Sequence, residues 1–364
     1  MRPTIIHSMK EYLPLTHQWI YETIQILATR FRQVIRTSRW IEGSPLVAGV
    51  EVIRDRPTLW RRWWIRHVGK DWWGRWRLPT NALLFSHFGP QGYHDLSLGI
   101  HPHWVRFYGF DISALPQRQP QWLPLYEQLF QQADVLVVEG PSMKVALAEA
   151  GAPTHKICVL PIGIRPPTYQ IIRKWISPPL KVLLPHAIRE KKGVLYAIRG
   201  LGIWHRRFGI DLEIHLVGDP PSSFDRPYWQ QVCEEIRRWQ LERYLIHYGF
   251  VSFERLLEVA RECHVAIHAS LTTNDGDTEG GYPHVIPTLM ATGLPFIASH
   301  HADIPFVIQD GSGWLVPEKN AEAVADALNH AIGPGLELRS EQAAVRAKWF
   351  YWERLAPMYW QAMS

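Results

Sequence analysis

The sequence predicts two doubly wound α/β domains of similar size, each built on a parallel sheet. Short apolar runs alternate with amphipathic stretches along most of the 364 residues, which is typical of βα units. The stretch RPPTYQIIRKWISPP interrupts this alternation with four prolines and predicts a linker. We therefore expect a first domain at 1–165, a linker at 166–179, a second domain at 180–335, and a C-terminal helix at 336–364 that packs back on the first domain.

The elements follow in order from the apolar runs. Strands are predicted at 4–8, 33–37, 82–87, 103–108, 134–140 and 156–161 in the first domain, and at 181–187, 212–219, 244–250, 263–270 and 295–299 in the second. Helices are predicted at 18–30, 123–132, 193–208, 228–240 and 254–262, and in the tail at 339–363. Ligands of doubly wound domains bind at the carboxyl ends of the strands. Two such domains therefore predict a ligand cleft between two sheets.

Composition limits the class of protein. Hydrophobic residues make up 46% and charged residues 20%, which is the balance of a soluble globular protein. No apolar run approaches the roughly eighteen residues of a membrane-spanning helix, and we expect no secretion signal. Cys158, Cys233 and Cys263 form no CxxC pair, so we expect buried free thiols in a reducing cytosol. The net charge of +5 favours an anionic partner such as phospholipid, nucleic acid or nucleotide phosphate.

The stretch SLTTNDGDTEGGYPHVIPTLMATG at 270–293 carries the strongest chemical signal. It follows an apolar strand and becomes helical from about His284, so backbone N–H groups converge where a phosphate or sugar could bind. Glu279, beside Gly280 and Gly281, places a carboxylate next to bare backbone. A polar turn without a ligand is the plainer alternative. A calcium loop is disfavoured because Ile286 stands where an EF-hand needs glutamate.

A second stretch, IREKKGVLYAIRGL at 188–201, places cations just after a strand and before a helix. Arg189, Lys191 and Lys192 precede Gly193. Side-chain charge and helix N–H groups could together bind a diphosphate there. A solvated basic helix start is the alternative interpretation.

These motifs, followed by LEIHLVGD and HYGFVSFERLLEVARECHVAIHAS, resemble the donor-binding half of glycosyltransferase family 4. In the first half SHFGPQGY, RFYGFDISALP and VVEGPSMKVALAEAGAPTHKICVLPIGI resemble the branch that builds exopolysaccharides such as colanic acid and amylovoran. The resemblance implies a GT-B fold, in which two Rossmann-like domains face a central cleft. It also implies retaining transfer of a sugar from a nucleotide-sugar donor to a glycan or lipid-linked acceptor.

The resemblance implies roles for residues of the donor site. Lys192 and Arg189 match the residues that hold the donor diphosphate, and Glu279 matches the glutamate near the donor sugar. Thr288 stands where the family has a second glutamate, which binds the nucleotide ribose. The absence of that glutamate would weaken nucleotide binding by about 1–3 kcal/mol. Further donor contacts are expected at Thr16, Gly193, Gly218, Asp219, Phe250, Gly280, Gly281 and Tyr282.

Acceptor residues are expected in the first domain. Tyr108 stands where many relatives have histidine, and it can donate a hydrogen bond but cannot accept a proton at neutral pH as histidine can. His87 is the better candidate for acceptor contact, and a structurally satisfied strand-end histidine is its alternative. Asp111 is also predicted to bind the acceptor. Glu139 is either an acceptor contact or a helix cap.

The implied chemistry needs neither a metal ion nor a cofactor. The pairs His101/His103 and His300/His301 lack further ligand spacing and are interpreted as surface or loop residues. Three alternatives to the active transferase remain: a weakly active sugar-binding or scaffold protein, suggested by Thr288 and Tyr108; a GT-B epimerase, whose acidic and histidine residues are not identified; and a nucleic-acid-binding protein. The last depends only on the Trp/Arg segment, and no recognised motif accompanies it.

The segment LWRRWWIRHVGKDWWGRWRLP at 59–79 predicts a membrane-facing surface. Two glycines interrupt it, so two short amphipathic helices are expected. On a helix Trp60, Trp63 and Trp64 share one face, and Arg61, Arg62 and Arg66 point to other sides. Tryptophan at the interface and arginine on anionic headgroups would seat the protein on the cytoplasmic leaflet. Inward packing of several tryptophans is the alternative.

Overall fold

A computed structural model describes residues 2–12, 18–175, 177–309 and 311–363. The predicted donor contact Thr16 lies outside the described residues. The chain divides into two compact units, which are described separately. Unit 1 comprises Met1–Gly163 and Trp352–Ser364, and unit 2 comprises Ile164–Tyr351.

Unit 1 is built on a parallel sheet. Within the described part of the chain its strands are β1 (Thr4–Tyr12), β2 (Arg32–Trp40), β3 (Glu51–Arg54), β4 (Ala82–His87), β5 (His103–Arg106), β6 (Val135–Val138) and β7 (Ile157–Val159). They lie in the order β3-β2-β1-β4-β5-β6-β7. The central strand β4, ALLFSH, is buried at every position because a parallel sheet is covered on both faces.

The helices of unit 1 connect and cover these strands. They are α1 (Gln18–Leu27), α2 (Leu59–Val68), α3 (Trp72–Trp76), α4 (Gly89–Asp95), α5 (Ala114–Arg118), α6 (Trp122–Gln132) and α7 (Pro141–Glu149). Helix α6 buries Tyr126, Leu129 and Phe130, which share one face of the helix, in a cluster with Val105 and Phe107.

Unit 2 has a second parallel sheet in the order β10-β9-β8-β11-β12-β13. Its strands are β8 (Leu180–Pro185), β9 (Leu212–Val217), β10 (Leu245–Gly249), β11 (Val265–His268), β12 (Phe296–Ser299) and β13 (Gly313–Val316). Its helices are α8 (Val194–Phe208), α9 (Arg226–Arg238), α10 (Phe253–Glu262), α11 (Val285–Ala291), α12 (Ile304–Val307), α13 (Ala321–Ala331) and α14 (Pro334–Ala347). Helix α15 (Trp352–Met363) belongs to unit 1. Within the described ranges no helix is both long and apolar enough to span a bilayer.

Two strands were not expected from the sequence. Strands β3 and β13 are each four residues long, and each is an edge strand of its own sheet. Strand β3 has the sequence EVIR, with one buried residue, so it lacks an apolar run. Its place depends on pairing with β2, where Glu51 lies opposite Val34. Such tertiary pairing leaves no local signal in the sequence.

The predicted linker and the predicted C-terminal helix, which flank the predicted second domain, are both parts of the two compact units. The stretch expected as a linker lies in unit 2. There Arg173 donates to the carbonyl oxygens of Thr292 at 2.7 Å and Ala260 at 3.1 Å. The predicted C-terminal helix is divided, because α14 belongs to unit 2 and α15 to unit 1. In α15 the hydroxyl of Tyr359 accepts from Nη2 of Arg106 at 2.8 Å.

The tryptophan-rich segment forms two short helices, α2 and α3, held by a buried arginine. The guanidinium of Arg61 binds both carboxylate oxygens of Asp55, at 2.5 and 2.9 Å. It also binds both oxygens of Asp71, at 2.8 and 2.6 Å. All three residues are less than one-tenth exposed. The prediction that Arg61 faces a membrane is therefore wrong, because its charge is used inside unit 1.

We expect Arg61→Ala to destabilise unit 1 by about 3–5 kcal/mol, since it leaves two buried carboxylates without their cation. The adjacent exposed Arg62 is the matched control, and Arg62→Ala should change stability by no more than about 0.5 kcal/mol. Urea unfolding followed by circular dichroism measures both variants. Equal effects of the two substitutions would contradict the structural role of Arg61.

Candidate functional site

The carboxylate of Glu279 lies at the centre of a hydrogen-bonded cluster in unit 2. Lys192 Nζ is 2.9 Å from Glu279 Oε2, and Ser270 Oγ is 2.9 Å from Glu279 Oε1. The side chain of Glu279 is 8% exposed and that of Lys192 is 18% exposed. Both stretches that the sequence singled out, 188–201 and 270–293, therefore meet at the carboxyl ends of β8 and β11.

Gly193 makes this meeting possible. It follows the turn Glu190–Lys192 and directly precedes α8, with a φ of +65°, a left-handed conformation that glycine adopts without strain. A Cβ at this position would lie 1.7 Å from the carbonyl oxygen of Ala269. Only glycine therefore lets the turn approach the end of β11 closely enough to place Lys192 on Glu279.

The other lysine of the motif, Lys191, holds the loop that contains Asp277 and Thr278. Lys191 Nζ lies 3.1 Å from Asp277 Oδ1 and 3.1 Å from the carbonyl oxygen of Thr278. Leu271 N donates to the carbonyl oxygen of Lys191 at 2.9 Å. The two neighbouring lysines thus hold the loop before and beside Glu279.

Charge keeps Glu279 ionised despite its burial. Burial raises the pKa of Glu279, but the charges of Lys192 and Lys191 and the hydrogen bond from Lys192 outweigh this effect. Together they bring the pKa of Glu279 down to about 2. At neutral pH Glu279 is thus a carboxylate that can only accept hydrogen bonds.

Because Glu279 accepts, Ser270 must donate its hydroxyl proton to it. Ser270 Oγ also lies 2.8 Å from His268 Nδ1, so it accepts there and the proton of His268 is on Nδ1. Burial, followed by the proximity of His186 and Lys192, lowers the pKa of His268 well below its usual value. His186 packs edge-on against His268, with ring centroids 4.5 Å apart. Burial, followed by Lys192, lowers the pKa of His186 to about 3, so both imidazoles are neutral.

His301 supports the backbone of the same loop. Glu279 N donates to His301 Nε2 at 3.1 Å, so the proton of His301 is on Nδ1 and points to Glu318 Oε1 at 2.8 Å. His301 lies in a loop but is 1% exposed. His103, in β5, is equally buried and lies 2.9 Å from Ser86 Oγ through its Nε2. The interpretation as surface or loop residues is therefore wrong for His103, whereas His301 is a loop residue but is not at the surface.

Other predicted donor contacts are spread around unit 2. Arg189 has a side chain that is 46% exposed, and its Nε lies 3.7 Å from Asp225 Oδ1. Gly218 has a φ of +129°, and a Cβ there would lie 1.8 Å from the carbonyl oxygen of His186. Asp219 Oδ1 lies 3.2 Å from His247 Nε2, and Phe250 is exposed.

Two of the predicted donor residues have structural partners in unit 2. Tyr282 is buried and packs edge-on against Phe350, with ring centroids 5.4 Å apart, so its ring belongs to the core and is not an open contact surface. Thr288 Oγ1 donates to the carbonyl oxygen of His284 at 2.7 Å. Its single hydroxyl proton is therefore used within the chain. Gly280, with a φ of +75°, and Gly281 continue the backbone directly after Glu279.

In unit 1 the predicted acceptor residues His87 and Tyr108 belong to a chain of side chains. Tyr108 Oη is 2.6 Å from His87 Nδ1, and His87 Nε2 is 2.9 Å from His7 Nδ1. His7 Nε2 is 2.7 Å from Gln33 Oε1. His87 is 1% exposed and has a protein partner on each ring nitrogen. The chain therefore presents Tyr108, and not His87, at its outer end.

Asp111 and Glu139 lie at the same edge of the sheet. Asp111 accepts from Tyr108 N and from Gly89 N, each at 2.9 Å. Burial raises the pKa of Asp111 to about 6 in spite of these backbone hydrogen bonds. Because Asp111 is 1% exposed, the geometry favours positioning of Tyr108 over direct acceptor contact. Glu139 follows β6 and is 8% exposed. Burial lowers the pKa of Arg106, but Tyr359, Tyr108 and Glu139 together outweigh it and raise that pKa.

Several residues of these clusters were not predicted from the sequence. They are His7, Gln33, Ser270, His268, His186 and Glu318. Polar residues inside otherwise apolar strands, such as His7 in TIIHS and His268 in VAIH, could have marked them, because buried polar groups require partners. Among the residues that the structure describes, no group of three or more His, Cys, Asp or Glu side chains is arranged to hold a metal ion.

Residues 181–333 match the family model described as glycosyl transferases group 1. An Escherichia coli K12 protein named as a colanic acid biosynthesis glycosyltransferase is 29% identical over 69% of this chain and 61% of its own length. An Erwinia amylovora amylovoran biosynthesis glycosyltransferase is 32% identical over 60% of this chain and 52% of its own length. The chain thus spans between half and two thirds of these curated relatives.

The fold matches that of an Anabaena protein, Alr3699/HepE, solved in complex with UDP-glucose. The TM-score is 0.77 at 14% sequence identity, over 99% of this chain and 98% of that one. An identity this low shows the fold alone. The predicted class, two Rossmann-like α/β domains of the GT-B type, is confirmed.

Acid should weaken the contribution of Glu279 to folding. The pKa of Glu279 is about 2 in the folded chain and 4.5 in an ordinary glutamate, so its stabilisation is complete above about pH 4.5 and is lost as the pH falls toward 2. The difference in unfolding free energy between the wild type and Glu279→Gln should therefore shrink by about 1.4 kcal/mol per pH unit below that point. Urea titrations from pH 6 down to about pH 3 measure it.

The exposed carboxylate of Glu337, which is 45% exposed and paired with Lys174, provides the control through Glu337→Gln. A wild-type to Glu279→Gln difference that stays constant across this pH range would show that the lysines do not hold Glu279 ionised.

Proposed function

We propose that the chain transfers a sugar from a nucleotide-sugar donor to a glycan or lipid-linked acceptor, because residues 181–333 match the family model of the glycosyl transferases group 1. We further propose that the transfer retains the anomeric configuration and serves exopolysaccharide or other cell-envelope polysaccharide synthesis. The observation that carries the proposal is the ion pair of Lys192 and Glu279 at the carboxyl ends of β8 and β11. The named relatives support the polysaccharide pathway.

The cluster offers complementary groups to the two halves of such a donor. Glu279, held ionised, can accept hydrogen bonds from sugar hydroxyls. Lys192 is 18% exposed and can share its ammonium group between Glu279 and a phosphate oxygen. Arg189 is the more exposed cation of the motif, at 46%. The N-terminus of α8, which begins at Val194, adds a favourable dipole for negative charge.

In the proposed reaction the bond between the anomeric carbon and the diphosphate oxygen breaks. The acceptor oxygen forms its bond to the same face of that carbon, and the acceptor proton passes to the departing phosphate oxygen. Lys192 and Arg189 stabilise the charge that develops on the diphosphate. No protein nucleophile, metal ion or cofactor takes part in this scheme.

A second candidate is a sugar-binding or scaffold protein with weak activity. The observation that favours it is Thr288, whose hydroxyl proton is already donated to the carbonyl oxygen of His284. Toward a ribose hydroxyl this oxygen can act only as a neutral acceptor, which is weaker than a carboxylate. Nucleotide affinity would then depend more heavily on the diphosphate contacts.

We also propose that unit 1 binds the cytoplasmic surface of an anionic membrane. Five tryptophans of α2 and α3 are exposed: Trp60, Trp63, Trp72, Trp73 and Trp76. Trp64 is partly buried against Trp60, with ring centroids 5.8 Å apart, so inward packing holds for only part of the segment. Exposed tryptophan is costly in water and favoured at a bilayer interface.

Basic groups lie next to these tryptophans. Arg62 and Arg66 of α2 line a cavity of about 790 Å³ together with Lys10 and His94. Cations near a bilayer surface are each attracted to anionic lipid by about 1 kcal/mol. The same cavity is lined by Asp55, Asp71 and Asp95, whose carboxylates pair with Arg36 and Arg61. We propose that Arg62 and Arg66 bind the phosphate of an anionic lipid or of a lipid-linked acceptor. The same surface is not proposed to bind nucleic acid, because no accompanying motif supports it.

The enzyme proposal predicts turnover of a nucleotide sugar. We expect UDP-, GDP- or ADP-sugars to raise the melting temperature of the protein. The stabilising donor should be slowly hydrolysed with release of a sugar of unchanged anomeric configuration, which proton NMR measures. Stabilisation without turnover would support the scaffold. Neither stabilisation nor turnover by any nucleotide sugar would contradict both candidates.

The membrane proposal predicts binding to vesicles that contain phosphatidylglycerol and weaker binding to phosphatidylcholine alone. Arg62→Gln combined with Arg66→Gln should reduce sedimentation with anionic vesicles several-fold, and Trp76→Ala should reduce it on both. Arg207→Gln removes an exposed arginine from unit 2 and should change nothing. Equal sedimentation with both vesicle types would contradict the proposal.

A further inference from the structure

The hydrogen bonds that join Tyr108, His87, His7 and Gln33 in unit 1 all run in one donor-to-acceptor direction. The backbone carbonyl group of Phe31 sets this direction. Gln33 Nε2 lies 3.2 Å from the carbonyl oxygen of Phe31, which can only accept. The amide nitrogen of Gln33 must therefore face Phe31, and its oxygen must face His7. Because Gln33 Oε1 can only accept, His7 Nε2 carries the proton that joins them at 2.7 Å.

The direction passes through both histidines. Burial, together with the charge of Arg106, lowers the pKa of His7 to about 4, so His7 is neutral and its Nδ1 has only a lone pair. His87 Nε2 must then donate to it across 2.9 Å. With one proton on its ring, at Nε2, His87 accepts at Nδ1, and Tyr108 then donates its hydroxyl proton inward across 2.6 Å. Every hydrogen bond in the chain thus runs from Tyr108 toward Phe31.

The residue at the outer end of the chain reaches the surface of unit 1. Tyr108 is partly exposed and comes two residues after β5 ends at Arg106. Its neighbours His87 and Glu139 occupy the carboxyl ends of β4 and β6, the strands on either side of β5. The ring of Tyr108 lies against Trp19, at 4.2 Å between ring centroids, and Phe88, at 4.6 Å. Tyr108 thus lies among aromatic rings at the edge of the sheet where parallel α/β domains bind ligands.

We propose that Tyr108 recognises a carbohydrate hydroxyl of the acceptor by accepting its hydrogen bond, and that His87, His7 and Gln33 are positioning residues that fix this polarity. The inference rests on the proposed function. With its own proton directed inward, the Tyr108 oxygen presents only lone pairs outward. It therefore favours a hydroxyl donor and disfavours phosphate or carboxylate oxygens, which can only accept.

The polarity is tested first, without any ligand. In the full chain labelled with 15N-histidine, two-bond 15N–1H spectra at pH 7 should show His7 and His87 as neutral rings protonated on Nε2. Assignment uses His87→Gln. In Gln33→Leu, which removes the anchor, the tautomer of His7 should become mixed. A doubly protonated His87, or a proton on its Nδ1 in the wild type, would reverse the direction at Tyr108 and overturn the inference.

The recognition is tested with methyl glycosides of glucose, galactose and mannose as probes, using ligand-detected NMR titration. At least one should bind the wild type, and Tyr108→Phe should weaken it by about 3- to 10-fold, the loss of a neutral hydrogen bond. Tyr21→Phe, a partly buried tyrosine of α1, is the matched control and should leave binding unchanged. No glycoside binding by the wild type, or equal effects of the two substitutions, would overturn the inference.

UDP titration of the same variants separates this inference from the proposed function. UDP affinity should be equal in the wild type, Tyr108→Phe and Gln33→Leu, because all three retain unit 2 unchanged. If the wild type and the variants bind neither UDP nor other nucleotides, the donor proposal fails, whereas a glycoside effect confined to Tyr108→Phe would still support Tyr108.

Discussion

The ion pair between Lys192 and Glu279 is the interaction on which the site in unit 2 depends. A carboxylate that is 8% exposed would lose most of its hydration on folding, and only a close cation with further hydrogen bonds offsets that cost. Lys192, Ser270 and the backbone held by His301 supply these partners. The pair in turn requires the close approach at Gly193, since any side chain there would meet the carbonyl oxygen of Ala269. Charge, backbone and fold are therefore coupled at one point.

Burial has a second consequence in both units: it keeps imidazoles neutral. The pKa of His7 falls to about 4 and that of His186 to about 3, so near pH 7 neither adds charge. A neutral imidazole donates from one nitrogen and accepts at the other. Chains built from such rings have a defined direction, which a cationic histidine could not give. In unit 1 this direction begins at Tyr108 and ends at the carbonyl oxygen of Phe31, and in unit 2 it runs from His268 through Ser270 to Glu279.

The sequence predicted what local patterns encode. Apolar strands such as β4 and β9 were located nearly to the residue, and strand–glycine–helix turns identified Lys192 and Glu279. It did not reveal β3, whose place comes from pairing with β2, nor the burial of Arg61. Helical periodicity gives the face of a residue but cannot show that Asp55 and Asp71 will surround it. Likewise, His301 and His7 acquire their roles from partners distant in sequence.

The claim most open to a direct measurement is that Lys192 serves a nucleotide diphosphate. Calorimetric titration of UDP-glucose, the ligand in the structure of the Anabaena protein, into the wild type and Lys192→Met tests it. Loss of a charge-assisted hydrogen bond, about 1.5–3 kcal/mol, should weaken affinity by roughly 10- to 150-fold. Lys174→Met, which removes an exposed lysine paired with Glu337 in the same unit, should bind as the wild type does. Equal affinities in all three proteins would contradict the account.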